Sequence, residues 1–124
     1  MNIERLNHLI TILERVQNDP KEKAQFDMNF WINYCGTSAC AVGFACLDPV
    51  FQAQGLKIRD NEPKFQDFYS YSAAAKFFEI TCTEVRYLFS PVDYGGYSKI
   101  EPVDVIDRIR KLINNQTKTG GEKA

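Results

Sequence analysis

Apolar residues near the start of the chain recur at three- and four-residue steps: Ile3, Leu6, Leu9, Ile10, Leu13 and Val16, with Glu4, Arg5, Glu14 and Arg15 off that stripe. This is the spacing of one helix face, and it predicts an amphipathic helix over residues 3–17. Asn18-Asp19-Pro20 ends it and opens a short solvated helix, Lys21–Ala24, because proline suits a first helical position and Asp19 can cap. From Phe26 the pattern changes. Phe26, Met28, Phe30, Ile32 and Tyr34 alternate with Asp27, Asn29 and Asn33, yet Phe26, Phe30 and Tyr34 also sit at helical spacing. Periodicity alone leaves strand and helix both open here.

The run Ala39-Cys40-Ala41-Val42-Gly43-Phe44-Ala45-Cys46-Leu47 carries no charge on any side. A helix that is apolar all round belongs inside a fold. Thr37 or Ser38 offers an N-cap hydroxyl and Asp48-Pro49 stops the run, so residues 38–47 read as a buried central helix. Ala39/Gly43 and Ala41/Ala45, small residues four apart, allow neighbours to approach closely. Pro49 to Gln54 reads as one helical turn ended by Gly55. Further on, Asp60-Asn61-Glu62-Pro63 is turn chemistry between two short runs and predicts a small two-stranded hairpin within 56–68. Ser72 is the expected cap of a helix through Glu79, Thr83–Phe89 a second short helix, and Pro102 the start of a last one burying Val105, Ile106, Ile109, Leu112 and Ile113. The expected architecture is mainly α: a single helical domain over residues 1–115 and a flexible polar tail over 116–124.

A length of 124 residues suits one domain. Fifteen Lys+Arg against sixteen Asp+Glu give a net charge of −1, no excess to draw the whole chain onto nucleic acid or an anionic membrane. No apolar run reaches the roughly 18–20 residues of a bilayer span, and the first residues lack a secretory-type apolar stretch. The expectation is a cytoplasmic protein with no membrane partner, whose four cysteines (Cys35, Cys40, Cys46, Cys82) are thiols rather than disulfides. Cys40 and Cys46, six apart on one helix, lie about 240° apart in projection and cannot face one ion. With no C-x-x-C hook either, neither a metal nor another cofactor is expected.

Around the central helix the chain reads Phe26-Asp27-Met28-x-x-Trp31-x-x-x-Cys35-Gly36-Thr37-x-Ala39-Cys40-x-x-Gly43-x-Ala45. This resembles small uncharacterised bacterial and phage proteins with FDM-x-x-W and CGT-x-AC-x-x-G-x-A patterns. Those proteins often continue into an A-x-x-LGL-S-x-x-E-A-x-x-LF element, matched here by Ala75 to Phe89, with Glu79 where the pattern prefers glycine. The resemblance implies a shared fold and origin in a phage or mobile element; it brings no activity. Cys35-Gly36 also resembles the nucleophile turn of papain-like and bacteriocin-processing cysteine peptidases, but those place the histidine after the cysteine. This chain has His8 alone, upstream.

Three functional readings follow. In the first, a protein-binding accessory role, Asp27, Trp31 and Tyr34 line a pocket together with Cys35, Thr37 and Cys40. Tyr94 and Tyr97 offer adaptable contact area in a glycine-flanked loop. A cysteine-dependent enzyme needs Cys35 or Cys40 ionised, with Cys40 in a first helical turn beneath a Thr37 cap, and His8 within reach. The remaining reading is a DNA-binding helix-turn-helix at Ala75-x-x-x-Glu79-Ile80-x-x-x-x-Val85-x-x-Leu88. Glu79 in its turn and Arg86 as the only cation on the second helix count against it. The first reading fits the sequence best, with another protein as the expected partner.

Overall fold

A computed structural model of the chain describes residues 1–32, 38–95 and 99–123, with side chains through Gln116. Helix α1 (Ile3–Asn18) starts where the Asn2 side chain accepts from the Arg5 amide, and buries Leu6, Leu9, Ile10, Ile12, Leu13 and Val16. The Asp19 carboxylate accepts from the Lys21 and Glu22 amides and starts α2 (Pro20–Gln25), which buries nothing. Helix α3 (Ala41–Leu47) is followed by α4 (Pro49–Ala53), with Asp48 ending one and capping the next. Gly55 follows at φ +102, a conformation that favours glycine.

Three short strands, β1 (Lys57–Arg59), β2 (Glu62–Phe65) and β3 (Phe68–Tyr69), form an antiparallel meander in that order. Asp60 and Asn61 both take positive φ (54° and 64°) in the two-residue β1–β2 connection, the geometry that matches strand twist. Pro63 is tolerated in the middle strand because β3 pairs only with Lys64 and Phe65, so no partner strand lies beside the proline nitrogen. Helix α5 (Ser70–Phe78), α6 (Cys82–Phe89), a 3-10 turn (Pro91–Tyr94) and α7 (Pro102–Lys123) complete the described chain. α7 packs along α1, α5 on the meander, and α3 against α1 and the strands.

The core closes around a chain of edge-to-face rings, Phe51–Phe77 at 4.8 Å and Phe77–Phe78 at 5.1 Å, and Phe89 extends it toward α7. Each of these phenylalanines is fully buried, at about 1.5–3 kcal/mol of transfer free energy apiece. The architecture is mainly α, as the apolar pattern predicts.

Four local expectations need correcting. The central helix starts at Ala41, not at residue 38, and its cap is Cys40 rather than Thr37 or Ser38: the Gly43 amide donates to Cys40 Sγ at 3.4 Å. Segment 26–32 is neither helix nor regular strand. It wraps around Ala39–Cys40, with Ala39 N–H donating to the Gln25 carbonyl and Asp27 N–H to the Ala39 carbonyl (both 2.9 Å), and Cys40 N–H to the Phe30 carbonyl (2.7 Å). The hairpin within 56–68 gains a third strand. Finally, α5 starts at Ser70 without a side-chain cap rather than after Ser72, and α6 starts at Cys82 rather than Thr83, with Thr81 as its cap in a reciprocal capping box with Glu84. The expected tail over 116–124 lies almost wholly beyond the described side chains.

Candidate functional site

Among the residues singled out by sequence, Tyr34, Cys35, Thr37 and Tyr97 lie outside the described residues. The other four do not converge on one cavity. Asp27 is half-buried and folds its carboxylate onto the Asn29 amide (2.9 Å) and side-chain nitrogen (3.0 Å), a local turn. Trp31 stands edge-to-face with Tyr71 at 4.8 Å, and its carbonyl occupies the space beside Gly43: a Cβ there would fall 1.8 Å from Trp31 O. Tyr94 donates its hydroxyl to the Leu88 carbonyl and carries the Arg108 guanidinium 3.7 Å from its ring centre. Burial raises its pKa above the ordinary tyrosine value.

Cys40 is corrected most. It sits at the cap rather than in the first turn, it is buried, and burial pushes its thiol up to about 11. Burial raises the Cys46 thiol as well. His8 lies at the other end of α3, with Nε2 2.8 Å from Asp48 Oδ2 and its ring edge-on to Phe51. Eight residues of helical rise, about 12 Å, separate residue 40 from residue 48 along the helix. The histidine therefore serves the buried Asp48, which also accepts from the Phe51 amide at 3.1 Å, and not Cys40.

The open chemistry lies elsewhere. Between the meander and the α5–α6 corner runs a groove of about 690 Å³. Phe65 and Ile80 form its buried floor, and Phe68, 39% exposed, forms one wall. Arg5 reaches in from α1 and is held fast: Nε donates to Gln54 Oε1 and Nη1 to the Phe77 carbonyl, both at 2.7 Å, while the guanidinium lies 4.1 Å from the Phe77 ring centre. Lys76 rests 5.3 Å from the Phe68 ring centre with no carboxylate partner among the described residues. Glu79, on the opposite rim, accepts from the Asn2 side-chain amide at 2.9 Å. Apolar floor, aromatic wall and a fixed cation suit an inserted apolar side chain with a carbonyl or carboxylate beside it.

Sequence reasoning missed Arg5, Phe65, Phe68 and Lys76 as a group, because they come from four separate elements. The one available signal is Arg5, a residue at the edge of the α1 stripe. Neither a family model, a curated protein nor a solved structure matches the chain. Among the described residues, no helix is long and apolar enough to cross a membrane.

Proposed function

We propose that this is a small accessory protein that acts by binding another protein, with the groove between the meander and α5 as the receiving surface. The observation that carries the reading is the fixed Arg5 beside an open aromatic wall. A cation already ordered by two hydrogen bonds and a stacked ring loses little freedom on binding, and half-exposed aromatics make good anchors. The cytoplasm is the expected compartment, and the resemblance to phage and bacterial proteins supports an origin in a mobile element. Peptide display against the immobilised protein tests the reading. Enriched peptides share an apolar anchor, shift the amide resonances of Phe65, Phe68 and Ile80, and lose binding about tenfold or more to Phe68→Glu. Peptides that bind Phe68→Glu as well as the parent overturn it.

One observation favours a second reading, the helix-turn-helix. Glu79 takes up the left-handed conformation (φ 56°, ψ 50°) that the turn requires, despite not being glycine, and Ile80, Val85 and Leu88 are all buried as such a unit demands. The charge remains poor, with Arg86 and Lys76 set against Glu79 and Glu84. Salt-sensitive binding to duplex DNA, weakened by Arg86→Ala, is what this reading expects; no binding at low salt removes it.

A further inference from the structure

The meander has two unlike faces. Ile58, Pro63 and Phe65 point inward, Pro63 and Phe65 being buried. The outward face follows from the register: Lys57 pairs with Lys64, Lys64 with Tyr69, and Arg59 with Glu62. Directly paired residues lie on the same side of a sheet, so Lys57, Arg59, Lys64 and Tyr69 share one face. The position of Lys64 Nζ, 5.8 Å from the Tyr69 ring centre, agrees. Lys57 and Arg59 are exposed, and none of the three cations has an ion-pair partner among the described residues. The one carboxylate on this face, Glu62, already accepts from Ser70 Oγ at 2.9 Å.

Two lysines directly opposite each other repel, with Cβ atoms about 4.5–5.5 Å apart. A sheet whose outer face served solubility alone would gain from an opposite charge at either position. We propose that this face binds a short acidic segment of a partner polypeptide, whose carboxylates neutralise the Lys57–Lys64 pair and Arg59. The proposal rests on the protein-binding reading and adds the charge of the partner. Exposed carboxylates at the two turns, Asp60 and Asp67, rim the patch. Three cations and a net charge of −1 fall short of the many phosphate contacts that nucleic acid needs, which favours a peptide.

Fluorescence anisotropy of a labelled oligoglutamate peptide with the full chain, at low salt, is the test, with oligolysine and oligothymidylate as parallel probes. The expected result is salt-sensitive binding of oligoglutamate that weakens about tenfold in Lys57→Glu/Lys64→Glu and is unchanged in Lys21→Glu/Lys111→Glu. Charge-removing Lys57→Gln/Lys64→Gln gives a smaller loss in the same direction, and the thermal midpoint of either variant shows that it is folded. Single Lys57→Glu replaces the repulsive pair by an attractive one, so its midpoint rises while its affinity falls, which a purely structural role would not produce. Ser72→Trp fills the groove and leaves oligoglutamate binding intact, so failure of the groove and failure of this face are told apart. Oligoglutamate that does not bind, that binds the reversed variant equally, or that is outcompeted by oligothymidylate at these lysines overturns the proposal.

Discussion

The middle of the chain and the region from Lys57 to Phe89 carry opposite kinds of information. Ala41 to Cys46 is the segment a reader of the sequence notices first, uncharged and rich in small residues, and it is buried at every position. Cys40 at its cap and Cys46 within it have their thiols raised by burial, and its glycine lets the Trp31 carbonyl approach. The meander and the α5–α6 corner look plain in sequence, yet they supply the open groove, the half-exposed aromatics and cations with no ion-pair partner among the described residues. An unusual composition marked a closely packed, buried segment, not the open groove.

The largest expected effect sits on the packed side of this comparison. Gly43→Ala places a methyl group into Trp31 O, a backbone atom that cannot step aside, and should destabilise the protein by roughly 3 kcal/mol or more in urea denaturation. A cost below about 0.5 kcal/mol would show that α3 and the Trp31 segment are not so closely seated. On the open side, Glu79→Gly relieves a left-handed residue. It should stabilise by about 0.5–1 kcal/mol even after losing the exposed contact to Asn2. Destabilisation there would mean that Glu79 is held by more than its turn.

Much of the fold was legible because it follows from single-element rules. The α1 stripe, the Asp19 cap, the stop at Asp48-Pro49 and the start of α7 each depend on neighbours three or four residues away. The start of α3 was not, because Ala39 and Cys40 are drawn into backbone pairing with Gln25, Asp27 and Phe30 far along the chain, and that competes with helix formation. The same pairing moves Cys40 from the first turn, where a dipole-stabilised thiolate was one alternative, to the cap, and its burial agrees with the packing role expected of the uncharged run. The third strand needed Gln66 at φ 55°, a conformation its side chain does not announce. The groove was illegible apart from Arg5 beside the α1 stripe, since Arg5, Phe65, Phe68 and Lys76 meet only after α1, the meander and α5 have packed.

Alkylation of the native protein with iodoacetamide, followed residue by residue in a mass spectrometer, tests the central division most directly. Cys82 is exposed, whereas Cys40 and Cys46 are buried. Cys82 should react at the rate of an accessible thiol, and Cys40 and Cys46 only as fast as the whole protein unfolds. Labelling of Cys40 ahead of Cys82 in the folded protein would contradict the account, and would return the chemistry to the cap of α3.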